Sequence, residues 1–215
     1  MLKGWRRPSR GVLFVVTGPS GVGKSTLIRE ARALIPDLDF GVSATTREAR
    51  AGEVHGVDYL FMTPEEFDKK VEEGAFLEHA RVYDHAYGTP RAAVEEALAA
   101  GRSILLDIDV AGHRQVLASG LQGVHVLLLP PDLATLERRL RSRGTDSDEI
   151  IARRMLQVAG QLEAVREFDH LVVNDHLQSA HRVFQGVLLA ALTRTSHRYA
   201  LVQQVTEWFA EQDGS

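Results

Sequence analysis

The stretch GPSGVGKST, residues 18–26, decides the fold of this chain of 215 residues. It follows the apolar run VLFVV at 12–16 and precedes a segment with helical spacing at 27–35. Residues 18–25 fit the pattern G-x-x-x-x-G-K-[ST] in the order strand, loop and helix that this pattern requires. The glycines allow successive backbone N–H groups to point inward, and the helix adds the positive end of its dipole. The stretch is therefore predicted to bind the phosphates of a nucleoside triphosphate.

The positions of this phosphate loop have different expected roles. Lys24 can reach the β- and γ-phosphates, and the Ser25 hydroxyl can hold Mg²⁺. The residues expected to contact the triphosphate are Gly18, Pro19, Ser20, Gly21, Val22, Gly23, Lys24, Ser25 and Thr26. A nucleophile elbow requires glycine where Val22 stands, and a dinucleotide-binding fingerprint requires glycine where Thr26 stands. The remaining alternative is a plain glycine-rich turn between two core elements.

Composition limits the possible classes of function. The formal net charge is −4, so we expect no general attraction to nucleic acid, and a local cluster must hold any anion. The chain has no cysteine, which excludes disulfides, zinc-thiolate sites and thiol nucleophiles. The apolar run at 12–16 is too short for a signal-peptide core or a membrane span. We expect a soluble, cytoplasmic protein that binds neither nucleic acid nor membrane, either as a monomer or as a homo-oligomer.

Alternation of apolar runs and helical segments predicts an α/β fold. Runs at 12–16, 104–108, 124–129 and 171–173 are each followed by helical spacing, as in βαβ units on a parallel sheet. The segment 40–87 breaks this rhythm, because it contains one helix and the strand-like stretches FGVSATT, DYLFM and AFLEHARVY. It is interpreted as a small β-rich lobe inserted into the core.

Several helix ends are marked in the sequence. Thr63 and Glu66 have the spacing of a capping box, and so do Asp146 and Glu149 at the start of a long helical segment. Gly101 follows a helical stretch and is expected to end it. These signals place one helix within the β-rich lobe, one that ends near residue 101, and one in the region of the later arginines.

A second polar cluster, SATTREARAGEVHGVDYLF at 43–61, carries the prediction of a second ligand. A phosphate loop alone does not separate kinases, GTPases, motors and transporter ATPases. Arginine guanidinium groups match phosphate oxygens bidentately. The side chains that can converge on one anion here are Ser43, Arg47, Arg50 and Tyr59. A compact polyanion fits this set best.

With these motifs in order, the chain resembles guanylate kinases, particularly bacterial ones, over roughly residues 11–198. The motifs are the phosphate loop, TTRxxRxGExxGxxYxF at 45–61, FLEHA at 76–80, YGT at 87–89, LDID at 106–109, RxRG with a later arginine, and VVND at 172–175. The resemblance implies a P-loop NTPase-type parallel sheet flanked by helices, with an inserted nucleoside-monophosphate lobe and a helical lid. It also implies Mg²⁺-dependent transfer of the ATP γ-phosphoryl group to GMP, and to dGMP.

The resemblance implies boundaries as well. The core would comprise 11–39 and 90–198, the GMP lobe about 40–89, and the lid about 138–154. Residues 1–10 would be an N-terminal extension, and 199–215 a helical tail.

The resemblance further assigns the acceptor site. The residues implied at the phosphate of GMP are Ser43, Arg47, Arg50, Tyr59 and Tyr87, and those at the guanine end are Glu78, Thr89 and Asp109. The chemistry of guanine supports this, because its N1–H and N2 amino donors need an acceptor such as Glu78, and its O6 needs a hydroxyl such as Thr89. Adenine would leave such a carboxylate unpaired or opposed, so the site can discriminate between the bases.

The lid and the metal site complete the predicted active site. By resemblance, the arginines that close over the ATP phosphates are Arg139, Arg143 and Arg154. Asn174 resembles a residue near the adenine of ATP, although it is equally compatible with a turn at a strand end. Asp107 and Asp109 alternate along a strand end, which directs both to one face near Mg²⁺ and the acceptor. Capping of the next helix is the alternative role for Asp109.

The chain departs from the family pattern next to these positions. Ala49 replaces a common proline, Ala86 a frequent aromatic residue, and Val110 and Ala111 a frequent Trp–Gln pair. These positions lie beside the named contacts, so they bear on kinetics and packing more than on the type of reaction. Two other functions stay open. One is a phosphotransferase of the same architecture that acts on another small phosphate, and the other is a non-catalytic module that recognises phosphopeptides.

Overall fold

The structure, a computed structural model, describes residues 10–82, 84–142, 147–198 and 202–208. Its strands are β1 (Leu13–Thr17), β2 (Leu38–Phe40), β3 (Ala44–Thr45), β4 (Leu60–Phe61), β5 (Phe76–Val82), β6 (His85–Pro90), β7 (Ser103–Asp107), β8 (Gly123–Leu129) and β9 (His170–Val173). Five of them form a central sheet in the order β2-β7-β1-β8-β9. Every neighbouring pair in this sheet is parallel.

The strand before the phosphate loop is the middle of this sheet. All five residues of β1 are buried, because a strand between two parallel neighbours is covered on both faces. Its register pairs Val15 with Leu106 of β7 on one side and with His125 of β8 on the other. The continuous apolar runs in the sequence therefore correspond to the interior of a parallel sheet, as predicted.

Helices cover both faces of the central sheet. The α-helices of the described residues are α1 (Lys24–Leu34), α2 (Pro64–Glu72), α3 (Arg91–Ala99), α4 (Val110–Ala118), α5 (Leu133–Arg141), α6 (Asp148–Glu163) and α7 (Leu177–Leu192). On one face, Leu27 of α1 and Phe184 of α7 pack in the larger apolar cluster. On the other face, Val94 of α3 and Val116 of α4 pack in a second cluster. Helix α4 thus begins at the carboxyl end of β7 and stays against the sheet.

A second, smaller sheet forms the inserted lobe, in the order β4-β3-β6-β5. Strands β3 and β4 are parallel, whereas β6 is antiparallel to both β3 and β5. Helix α2 begins with the predicted capping box, in which Thr63 and Glu66 each accept a bond from the other's backbone N–H. Phe67 of α2 stacks on Phe76 of β5 with ring centroids 4.6 Å apart. The lobe therefore has its own small apolar core, and the predicted fold class is confirmed.

The local predictions differ from the structure at three places. The stretch FGVSATT is two strands, since Phe40 ends β2 in the central sheet and β3 begins at Ala44. Strand β6 was not predicted. The N-cap of α6 is Ser147, whose side chain accepts a bond from the Ile150 N–H, while Asp146 lies outside the described residues. A serine hydroxyl directly before the helix takes the capping role.

Other terminal predictions agree with the structure where it describes them. Gly101 lies one residue beyond the C-cap of α3 and has φ of 72°. Residues 202–208 of the predicted tail are helical. In the described ranges, no helix combines the length and apolar character that crossing a bilayer demands.

Candidate active site

The phosphate loop connects β1 to α1 at the carboxyl end of the central sheet, where parallel α/β sheets bind ligands. Gly23, the N-cap of α1, has φ of 98°, a left-handed conformation that side chains disfavour. Gly18 approaches β8 so closely that a Cβ atom there would overlap the carbonyl oxygen of Leu128. These glycines are required by conformation and by close approach, as expected for a loop that surrounds phosphates. Ser25 and Thr26 follow in the first turn of α1.

Lys24 lies between the phosphate loop and the end of β7. Its Nζ donates a hydrogen bond to the Gly18 carbonyl oxygen at 2.6 Å and a longer one to that of Pro19 at 3.4 Å. The same Nζ is 3.8 Å from Oδ1 of Asp107. Burial raises the pKa of Asp107, and the charge of Lys24 opposes that effect. The ammonium group therefore occupies the place where the loop meets the carboxylate that ends β7.

Asn174 supports the phosphate loop from behind. It is buried, and its Nδ2 donates to the Val22 carbonyl oxygen at 2.7 Å. A Cβ atom on Gly23 would lie 2.5 Å from the same Nδ2. The structure thus places Asn174 against the loop backbone, and its contact with adenine stays a prediction.

The lid arginines also reach the loop region. Arg139 of α5 donates to the backbone oxygens of Asn174 at 2.9 Å and Asp175 at 3.2 Å. Arg154 of α6 donates to Oγ of Ser20 in the loop at 3.0 Å. Arg143 lies outside the described residues. Arg154 therefore contacts the phosphate loop directly, Arg139 contacts the segment that follows β9, and their contact with ATP stays a prediction.

A cavity of about 180 Å³ lies between the lobe and the end of β7. The predicted site residues that line it are Ser43, Tyr59, Glu78, Tyr87, Asp107 and Asp109. We call it the acceptor cavity. Because Asp107 lines this cavity and also lies 3.8 Å from Lys24, the cavity adjoins the phosphate loop.

Glu78 is the buried carboxylate of the acceptor cavity. Burial raises its pKa, and the nearby charge of Asp109 adds to this, whereas a bond from Thr89 opposes it. Thr89 is its cross-strand partner, and Oγ1 of Thr89 donates to Oε1 of Glu78 at 2.5 Å. The hydroxyl of Thr89 is therefore directed at Glu78 instead of lining the cavity. Its predicted bond to guanine O6 would require that hydroxyl to turn.

Asp109 caps a helix, which is one of the two roles considered from the sequence, and its contact with the acceptor nucleotide stays a prediction. Its Oδ1 accepts a bond from the Gly112 N–H at 2.8 Å, which caps helix α4, and the residue also lines the acceptor cavity. Gly112 was not predicted as a site residue. A Cβ atom there would lie 2.5 Å from Oε2 of Glu78, so a side chain at this position would displace the carboxylate or the helix. The sequence feature that could have identified Gly112 is a glycine in the first helical turn after the LDID motif.

Glu53 accepts hydrogen bonds from both predicted arginines of the second cluster, Arg47 and Arg50. Nη2 of Arg47 donates to Oε1 of Glu53 at 2.8 Å, and the guanidinium lies 5.2 Å from the ring centre of Tyr59. The bond to Glu53 raises the pKa of Arg47 and lowers that of the carboxyl. The backbone N–H of Arg50 donates to Oε2 of Glu53, while its side chain is exposed. Arg47 therefore adjoins the cavity through Tyr59, and Arg50 lies further out.

Comparison with known proteins gives the family. The family model described as Guanylate kinase matches residues 10–191. The chain belongs to the guanylate kinase family. The guanylate kinase of Thermosynechococcus vestitus is 49% identical over 173 residues, which cover 80% of this chain and 91% of that protein. The guanylate kinase of Carboxydothermus hydrogenoformans is 45% identical over 181 residues, with coverages of 84% and 89%.

A solved guanylate kinase has the same fold. The crystal structure of guanylate kinase from Anaplasma phagocytophilum superposes with a TM-score of 0.69 at 28% identity, and the match covers 89% of this chain and 92% of that one. The resemblance stated from the sequence motifs is thus confirmed. Guanylate kinases are nucleoside monophosphate kinases, so this chain is assigned to that class of transferases.

Proposed function

We propose that this chain transfers the γ-phosphoryl group of ATP to a phosphate oxygen of GMP, giving ADP and GDP. The observation that carries the proposal is the contact of Lys24 with Asp107, which joins the phosphate loop to a cavity containing a buried carboxylate. Two anion sites that adjoin in this way suit a reaction in which one charged group passes between them.

The phosphate loop is the proposed site for ATP. Lys24 would exchange its bonds to the carbonyls of Gly18 and Pro19 for bonds to phosphate oxygens. Arg154 already contacts the loop at Ser20, so its guanidinium can bind a phosphate there with little movement. These cations, with Arg139 and Arg143 of the lid, would offset the repulsion between donor and acceptor phosphates.

The acceptor cavity is the proposed site for GMP. Glu78, as a carboxylate, would accept bonds from N1–H and the N2 amino group of guanine. The residues proposed at its phosphate are Ser43, Arg47, Arg50, Tyr59 and Tyr87. An arginine has five N–H donors, so Arg47 can bind phosphate while it keeps its bond to Glu53. These contacts involve the base and the phosphate, so we include dGMP as a second acceptor.

Positioning and charge would supply the catalysis. The phosphate of GMP is an anion near neutral pH, so its attack on the γ-phosphoryl group needs no strong general base. Closing the lid and the lobe would exclude water, which prevents wasteful hydrolysis of ATP.

The residues present fit a Mg²⁺ site of the kind that kinases use. In the part of the chain that the structure describes, no three acidic or histidine side chains are arranged to hold a metal by themselves. Mg²⁺ commonly binds one or two protein ligands and takes its other ligands from phosphates and water. Ser25 in the first turn of α1 and Asp107 at the end of β7 would hold it. When bound, Mg²⁺ would neutralise charge on the phosphoryl groups.

The proposal includes the setting of the reaction. A chain without cysteine suits a reducing compartment, and its net charge of −4 gives no general attraction to nucleic acid. We therefore propose that it acts on free nucleotides in the cytoplasm, in purine nucleotide metabolism.

One assay tests the reaction and its substrate. ADP formation from MgATP is measured with GMP, dGMP, AMP, UMP and no added acceptor. We expect ADP formation with GMP and dGMP and little with the other additions. Equal turnover with AMP or UMP would contradict the guanine assignment, and no turnover with any acceptor would favour a binding module.

A further inference from the structure

Helix α4 holds the outer strand of the lobe sheet through one side chain. Strand β5 is at the edge of that sheet, so part of its backbone is not paired by a neighbouring strand. Gln115 of α4 supplies the missing partner at His79 of β5. The His79 N–H donates to Oε1 of Gln115 at 3.0 Å, and Nε2 of Gln115 donates to the His79 carbonyl oxygen at 2.8 Å. One amide therefore bonds to both backbone groups of one residue.

The same face of α4 meets Glu78, the residue before His79. Asp109, Gly112 and Gln115 are spaced three apart, which places them on one side of the helix end. Asp109 raises the pKa of Glu78 through its charge, and Gly112 lies against its carboxylate. Asp109, Gly112 and Gln115 therefore form a row on α4 that faces Glu78 and His79 of β5, and Gln115 is the last residue of that row.

We propose that Gln115 is a positioning residue that fixes Glu78 for guanine and so contributes to base selectivity. The inference rests on the proposed function of Glu78 as the acceptor for guanine. Glu78 must accept from two donors in one plane, and hydrogen bonds weaken steeply when distance and angle change. Gln115 prevents β5 from sliding along α4 by bonding to the neighbouring residue at both of its backbone groups.

If Gln115 only stabilised the fold, removing its amide would lower stability and affect both nucleotides. Gln115 is only partly buried, so water can replace both of its bonds when the amide is removed. The net effect on stability is then small, whereas the alignment of Glu78 changes. The predicted loss is confined to the acceptor nucleotide, because the phosphate loop and Lys24 lie on other elements.

The test uses two substitutions at this position and a control. Gln115→Met keeps the length of the side chain and removes both bonds, and Gln115→Ala removes its volume as well. Gln122→Ala is the control, because Gln122 is an exposed glutamine whose amide bonds only weakly, at 3.5 Å, to the Gly120 carbonyl oxygen. KM is measured separately for GMP and ATP, together with the ratio of kcat/KM for GMP to that for AMP.

We expect both Gln115 variants to raise KM for GMP about 3- to 10-fold and to lower the ratio of GMP to AMP by a similar factor, the size of one or two hydrogen bonds. KM for ATP and the melting temperature should change little, and Gln122→Ala should match the wild type. Equal changes in KM for both nucleotides, or an unchanged ratio in Gln115→Met, would overturn the inference.

A second measurement does not depend on turnover. Hydrogen exchange of the His79 amide should be faster in Gln115→Met than in the wild type, because that amide loses its acceptor. Unchanged exchange would show that the bond does not hold β5, and would overturn the inference. A wild type without GMP-dependent turnover would instead overturn the proposed function, so the two failures can be told apart.

Discussion

The two proposed anion sites of this molecule are built in different ways. The phosphate loop is one continuous stretch between β1 and α1, and Asn174 supports its backbone from behind. The acceptor cavity is assembled from side chains on β5, β6, the end of β7 and the loop before β4. A contiguous site carries its whole signature in the sequence, whereas an assembled site depends on how distant segments are brought together.

The cations of the two sites also have different partners. Lys24 donates hydrogen bonds to neutral carbonyl oxygens of its own loop, and its carboxylate partner Asp107 is 3.8 Å away. Arg47 bonds to the carboxylate of Glu53, a charged partner that binds guanidinium more strongly. The cation of the proposed ATP site is therefore held less tightly by its carboxylate partner than the cation of the proposed GMP site.

Removing the cation of the phosphate loop should give the largest effect. Lys24→Ala is expected to lower kcat by about 10²- to 10³-fold, because it removes a positive group beside the transferred phosphoryl. The affinity for GMP, measured by titration, should be nearly unchanged. Lys69→Ala on the exposed side of α2 is the control, and normal turnover in Lys24→Ala would overturn the assignment of the loop.

Altering the buried carboxylate tests the assembled site. Glu78→Gln is expected to lower the preference for GMP over AMP by about 100-fold, because an amide N–H₂ then faces the donors of guanine. The measurement is the ratio of kcat/KM for the two acceptors, with Glu72→Gln on the exposed face of α2 as the control. Unchanged discrimination would remove Glu78 from the base site.

A side chain at Gly23 of the phosphate loop should weaken the binding of ATP and leave the binding of GMP unchanged. Gly23→Ala is expected to raise KM for ATP about tenfold, because its Cβ would lie 2.5 Å from Nδ2 of Asn174 and displace the loop. Gly120→Ala is the matched control, since Gly120 also has positive φ but open space around it. Gly120→Ala should lose about 1 kcal/mol of stability because of its positive φ, and Gly23→Ala should lose more because its Cβ also meets Asn174. An equal rise in KM for ATP in Gly120→Ala would contradict the crowding argument.

Acidic pH should act on the helix that contacts the acceptor site. His113 of α4 is buried, with Nδ1 2.9 Å from Nδ1 of His125, so one proton is shared between two nitrogens. Burial, followed by the proximity of His125, lowers the pKa of His113 to about 4. The unfolded chain takes up this proton near pH 6.5 and the folded chain only near pH 4, so stability falls as pH decreases between these values.

For His113 alone, the free energy of unfolding should decrease by about 2 kcal/mol between pH 7 and pH 5. Denaturant titrations at the two pH values measure it. His113→Gln should reduce the loss by that amount, because an amide does not titrate in this range. An identical pH dependence in wild type and variant would show that the buried pair does not oppose protonation.

The contrast between the two sites also explains what the sequence could predict. The loop residues Gly18 to Ser25 form one motif, and the parallel sheet follows from continuous apolar runs, so the place of the loop between β1 and α1 and the sheet itself were predicted correctly. Glu53 and Gly112 were missed, because their partners Arg47 and Glu78 come near only after the lobe folds. Strand β6 was missed because its short sequence HAYGTP contains glycine and proline, which propensity assigns to turns.

A probe that joins adenosine and guanosine through five phosphates tests the central claim of two adjoining sites most directly. Its inhibition of ADP formation is measured against varied ATP and, separately, against varied GMP. We predict competition with both nucleotides and binding tighter than that of either one, because both halves are held at once. Competition with only one nucleotide, or an affinity no greater than that for ATP, would contradict the account.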